Sequence, residues 1–202
     1  MTAHTSRMGV ARSLNCDGLY GLGLVLAVAL LLLPLAGGEA LKLAWRYERG
    51  AVAAGQWWRF ITCHLVHLDA NHALLNAVGL ALLWSLFARC YGWGQWLVAL
   101  GACVAAIGAG FWFFSTQLMW YVGASGVLHG VFACGCIAML RQRDRIGFIA
   151  AAIFVGKLAY EQWHGPLPFE RADQVVTVAH LYGAMGGAAM GLVLRGRAQP
   201  VY

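Results

Sequence analysis

Three short stretches carry the side chains whose types and spacing could do chemistry. Ser125 stands among small residues in Gly123-Ala124-Ser125-Gly126-Val127-Leu128-His129-Gly130, which follows a charge-free loop and opens an apolar run. His180 lies inside a second apolar run, Val178-Ala179-His180-Leu181-Tyr182-Gly183. His72 and Asn76 stand one helical turn apart, so they share a helix face. A serine hydroxyl is a poor nucleophile until a base takes its proton, and imidazole is the commonest such base. Ser125 as nucleophile and His180 as base predict acyl transfer, with His72, Asn76 and the Ser125 backbone N–H as oxyanion donors. No acidic residue is close to His180 in sequence, so the expectation is a Ser–His dyad with no carboxylate orienting the ring. The G-x-S-x-G elbow of soluble hydrolases is absent, because Gly126 is followed by Val127.

The elements that must position these residues are membrane helices. Hydrophobic residues make up 61% of the 202-residue chain and charged residues 11%, against about 25% charged in soluble domains. Nine Trp and seven Tyr suit a protein with two membrane–water interfaces. Apolar runs over about 19–36, 71–88, 94–114, 125–141, 146–162 and 175–194 predict six spans in one domain over 1–202, each to be compared with the roughly 20 residues that cross a bilayer. The first run follows a basic start, as in a signal peptide, but its length and the later spans favour an uncleaved helix. Residues 37–70 read as a long loop, rich in aromatic and basic residues, lying in the interface or folded onto the bundle.

Charge sets the expected orientation. Arg7, Arg12, Arg89, Arg141, Arg143, Arg145, Arg195 and Arg197 fall on one side with only Asp17 and Asp144. That side, with both termini, is expected in the cytoplasm. The net charge of +6 is thus a topology signal and calls for no nucleic-acid partner. Spans two, four and six then run the same way and place His72/Asn76, Ser125 and His180 near their outer ends. Polar groups at membrane depth are costly and mark function by default. Gly126 and Gly130 on span four, and Gly183, Gly187 and Gly191 on span six, recur every fourth residue. Such faces let two backbones approach closely, which would bring hydroxyl to imidazole.

These residues resemble a known family. His67-x4-His72-x3-Asn76, Gly123-x-Ser125-Gly126 and Ala179-His180-x2-Gly183-x3-Gly187 are similar to the motifs of rhomboid intramembrane serine proteases, and Trp58-Arg59 resembles that family's first-loop pair. The resemblance implies a six-helix bundle around a wet cavity, Ser125 as nucleophile, His180 as base, and His72 with Asn76 at the oxyanion. It also implies that Gly123 shapes the loop ahead of the serine. His129 departs from the pattern, standing where many rhomboids carry an aromatic residue packed on the catalytic histidine. Three readings stay open for it: stacking on His180, a second polar group in the site, or a tolerated core residue. Gly123–Gly130, Lys157-Leu-Ala-Tyr-Glu-Gln162 and Ala179–Gly183 further resemble rhombosortases, bacterial rhomboids associated with substrates bearing a C-terminal Gly-Gly motif, an apolar helix and a basic tail. That implies membrane-anchored substrates and a bacterial inner membrane with the site facing the periplasm. Lys157 and Glu161, at i and i+4, are either a structural pair or part of substrate reading.

No cofactor is expected. His64, His67 and His72 lack the H-E-x-x-H spacing and a completing carboxylate or cysteine, so no metal site is expected there. His64 and His67 are expected to hydrogen-bond within their own loop, and His4 and His164 to be exposed. Cys16, Cys63, Cys90, Cys103, Cys134 and Cys136 read as small apolar filler. The rival readings are a rhomboid-like protein that binds membrane helices without cutting them, and a small transporter. A transporter favours an internal repeat of spans, and none is present.

Overall fold

The computed structural model describes residues 18–168 and 175–197. The polar start with His4, Arg7, Arg12, Cys16 and Asp17 lies outside the described residues. Helix α1 covers Gly18–Leu32, and a 3-10 turn over Leu33–Gly37 leads into α2, Gly38–Trp45. Pro34 offers no backbone N–H to an α-helical ladder, which suits that turn. The stretch Tyr20–Trp45 is 26 residues long and apolar enough to cross a membrane. The loop expected from residue 37 therefore begins later, because the first helical stretch runs on to Trp45.

What remains of that loop is folded. It holds strand β1 (Tyr47–Glu48), α3 (Arg49–Ala53) and α4 (Arg59–Thr62). Buried Arg59 holds it together: its guanidinium donates to the Leu43 and Arg46 carbonyls at 2.8 Å and to the Gln56 side chain at 2.7 Å. Strand β1 pairs antiparallel with β2, Trp120–Tyr121, in the register Tyr47 to Tyr121. The expectation of an all-α membrane protein, a bundle of six helices, does not include this small sheet. The sheet ties the first loop to the segment leading into Ser125.

Helix α5 spans Ala70–Phe87, capped by Asp69, whose carboxylate accepts from the His72 backbone N–H at 2.8 Å. Helix α6 covers Trp93–Ala109 and ends in a π turn, Gly110–Phe114. Arg49 donates to the Phe111 and Trp112 carbonyls at that turn, both at 2.9 Å, and lies over the Trp112 ring. Helix α7 runs Ser125–Arg141, α8 Arg145–His164 and α9 Thr177–Val193. Asp144 caps α8 through the Ile146 and Gly147 N–H groups. Among the described residues, three helical stretches are long and apolar enough to cross a membrane, Tyr20–Trp45, Ala70–Cys90 and Trp93–Phe114, and Ser125–Arg141 is a shorter apolar helix.

Helices α7 and α9 meet backbone to backbone. A Cβ added to Gly183 would overlap the Gly126 carbonyl, and one on Gly187 would overlap the Gly130 carbonyl. One on Gly126 would lie 2.9 Å from the Ala179 carbonyl oxygen. The contact thus runs down the glycine faces of both helices, as their four-residue spacing predicts. At the far end Arg141 donates to the Leu192 and Leu194 carbonyls, and Arg89 lies over the Tyr20 ring. Among the described residues, Arg89, Arg141, Arg195 and Arg197 gather at this end. Cys63, Cys90, Cys103, Cys134 and Cys136 are buried and not joined in disulfides, in keeping with apolar filler.

Candidate active site

Ser125 is the first residue of α7, half-buried at the top of the glycine face. His180 lies on the first turn of α9 and is buried. The close approach of the two helices puts His180 Nε2 3.0 Å from Ser125 Oγ. That is hydrogen-bond distance between a hydroxyl and a base.

On its other side His180 meets a carboxylate, which the expectation of a bare Ser–His pair does not include. Its Nδ1 lies 2.9 Å from Glu161 Oε2, and Glu161 is 1% exposed. Helices α8 and α9 are antiparallel neighbours, and Glu161 stands as far from the end of α8 as His180 does from the start of α9. Distance along the chain hid the carboxylate, whereas depth in the bundle would have revealed it. The other oxygen of Glu161 accepts from Lys157 Nζ, one turn back on α8. The same ammonium lies 3.0 Å from His129 Nε2.

His129 stacks on His180, ring centroids 3.8 Å apart and planes 7° from parallel. Its Nδ1 lies 2.7 Å from the Ser125 carbonyl oxygen. A carbonyl only accepts, so Nδ1 carries the hydrogen and Nε2 is the lone pair that takes the Lys157 hydrogen. By the same reasoning His180 carries its hydrogen on Nδ1 toward Glu161, leaving Nε2 to accept from Ser125. The polar groups thus form a closed ring that leaves Ser125 by its carbonyl and returns by its hydroxyl. Stacking and polar contact hold together at His129, so two of its three open readings apply at once.

His72 lies against Gly123. Gly123 has φ +119°, a conformation side chains resist, and a Cβ there would lie 2.8 Å from the His72 ring. His72 Nδ1 has no partner among the described residues. The Asn76 amide donates to the His72 carbonyl at 3.0 Å, leaving its second N–H unassigned. His64 Nδ1 lies 3.3 Å from the Gly123 carbonyl, which Tyr121 also reaches by its hydroxyl at 2.8 Å. That bond crosses to the segment before Ser125 and is not within the histidine's own loop. Neither ring nitrogen of His67 has a partner among the described residues. Burial pushes both His64 and His67 down to about 4, and the nearby His72 adds to the effect at His67. His164 is exposed and stacks on Tyr160.

The rhomboid domain family matches residues 54–197. The chain belongs to the rhomboid family. It is also 29% identical over 140 residues to the Bacillus subtilis (strain 168) protein named "Putative rhomboid protease YdcA", covering 67% of this chain. The match spans 66% of that protein's length, just under two thirds. With its apolar helices, this rhomboid is a multi-pass membrane protein.

His129, Glu161 and His180 are the one group among the described residues with metal-ligating atoms all within 4.8 Å of one another. Their geometry does not suit a metal. The two rings are parallel, so their in-plane lone pairs do not converge on one point. An ion between them would sit roughly half the ring spacing out of each plane, against a zinc–nitrogen bond of only about 2.0–2.1 Å. The Lys157 ammonium already contacts two of the three residues.

Proposed function

We propose that this rhomboid is an intramembrane serine endopeptidase. Ser125 attacks a peptide carbonyl, and its proton passes to His180 Nε2. The imidazolium then gives that proton to the leaving amine as the C–N bond breaks. The acyl-enzyme is resolved by water, or by an amine acceptor in a sortase-like transfer. The observation that carries this reading is the 3.0 Å approach of His180 Nε2 to Ser125 Oγ. Donors for the oxyanion are the His72 ring, the free N–H of Asn76 and the Ser125 backbone N–H, which as the first of α7 has no helical acceptor. Removing one such donor typically costs about 10²–10³ in rate.

The chain is read as one membrane domain of six spans, both termini in the cytoplasm of a bacterium and the site facing the periplasm. Its substrates are exported proteins held by a C-terminal membrane tail, cleaved near small residues where a helix unwinds easily. The Lys157–Glu161 segment, which carries part of the rhombosortase resemblance, favours Gly-Gly tails over single-span substrates in general.

Labelling intact membranes with a fluorophosphonate probe tests the chemistry with no substrate in hand. The wild type is expected to label, and Ser125→Ala and His180→Ala at equal protein level to stay dark. Undiminished labelling of Ser125→Ala would remove the nucleophile. A wild type that stays dark while accumulating normally would favour a non-catalytic binder of membrane helices.

A further inference from the structure

We propose that Glu161 is the third member of the site, a carboxylate that positions His180 and stabilises the imidazolium formed when Ser125 attacks. This rests on the protease reading above.

Three observations carry it. First, the contact has the right polarity. His180 Nδ1 faces Glu161 Oε2 at 2.9 Å while Nε2 faces Ser125 Oγ at 3.0 Å, so the carboxylate fixes the tautomer whose free lone pair points at the serine. Second, Glu161 is placed where its own stability does not require it. A carboxylate paired only with Lys157 near a helix end could reach the interface beside its partner, which is partly exposed. Glu161 instead is 1% exposed and turned inward onto His180. Burying an ion costs several kcal/mol unless it is paired and its remaining lone pairs are bonded, and here one oxygen takes Lys157 and the other His180. Third, Lys157 is itself held on its other side by His129, which is anchored to the Ser125 carbonyl. The carboxylate is thus fixed relative to the nucleophile.

The proton count balances. In the resting site Lys157 and Glu161 cancel and both imidazoles are neutral. On attack the Ser125 proton moves to His180 Nε2, and the new imidazolium lies against the Glu161 carboxylate. Glu161 stays ionised throughout and exchanges no proton.

The test is the rate of fluorophosphonate inactivation of the full chain in detergent, followed across pH with a thermal melt of each variant. Charged and titratable groups facing His180 are Glu161 from α8, His129 from α7 and His72 from α5. Glu161→Gln is expected to slow inactivation about 10³–10⁴-fold, as loss of the orienting acid does in other serine hydrolases. The pH profile of inactivation should change, because the imidazolium has lost its counter-charge. Glu161→Asp should recover part of the rate. Since Glu161→Gln leaves the half-buried Lys157 ammonium without its counter-charge, Lys157→Met with Glu161→Gln is the control: it should melt like wild type and remain slow. Inactivation of Glu161→Gln within about threefold of wild type, with an unchanged pH profile, overturns the proposal. So does full recovery of rate in the double variant, which would make the pair structural. Either result, with Ser125→Ala dark, leaves the protease reading standing. A labelled Ser125→Ala would remove that reading itself.

Discussion

His129 joins two functions in one side chain, and they can be separated. Its ring covers His180 at stacking distance, while its two nitrogens bridge the Ser125 carbonyl and Lys157. Phenylalanine keeps the first contact and loses the second. His129→Phe is expected to lower the unfolding free energy by about 1–2 kcal/mol, the size of one or two lost hydrogen bonds. Inactivation by the fluorophosphonate should stay within about tenfold of wild type. A loss as large as that expected for Glu161→Gln would instead give His129 a part in the proton transfer. At Gly123 two separate constraints meet, a positive φ and the His72 ring where a side chain would be.

Among the elements, the pairing of α7 with α9 sets the distance between nucleophile and base. The helices touch through backbone at Gly126, Gly130, Gly183 and Gly187, so added volume there drives them apart. Gly187→Val, two turns below the chemistry, is expected to destabilise the protein by about 3 kcal/mol or more, as overpacking does. Fluorophosphonate labelling should be lost with it. Gly101, on α6, has nothing within 4 Å of where a Cβ would stand. Gly101→Ala is accordingly expected to be neutral or to stabilise by up to about 1 kcal/mol through helix propensity. Melting curves of both in one detergent check the contrast. Equal effects would mean that helix propensity, and not contact, governs these glycines.

For the molecule as a whole, two buried histidines of the first loop make folding depend on acidity. His64 and His67 titrate at about 4 in the fold, below the ordinary histidine value of 6.5. Between those values the unfolded chain binds more protons, so stability is full above about pH 6.5 and is lost as pH falls toward 4. The melting temperature of the wild type should drop through that window. His64→Gln with His67→Gln should flatten the dependence, and an unchanged slope in that variant would place its origin elsewhere. Because β1 pairs with β2 and His64 contacts the Gly123 carbonyl, opening the first loop with acid should also slow labelling.

Much of this arrangement follows from local pattern. Composition and apolar runs give a helical membrane protein. Four-residue glycine spacing gives the α7–α9 contact, and the start of α7 at Ser125 coincides with the predicted run. These depend on periodicity and transfer free energy, which act within a few turns of chain. The extension of the first helical stretch to Trp45, the β1–β2 pairing and the bond from His64 to Gly123 depend on partners far away in sequence. Glu161 makes the distinction plainest. Its pairing with Lys157 is a matter of helix pitch and can be read from four residues' spacing. Its bond to His180 exists only because α8 and α9 pack antiparallel, which brings groups of equal depth together across 19 residues of chain.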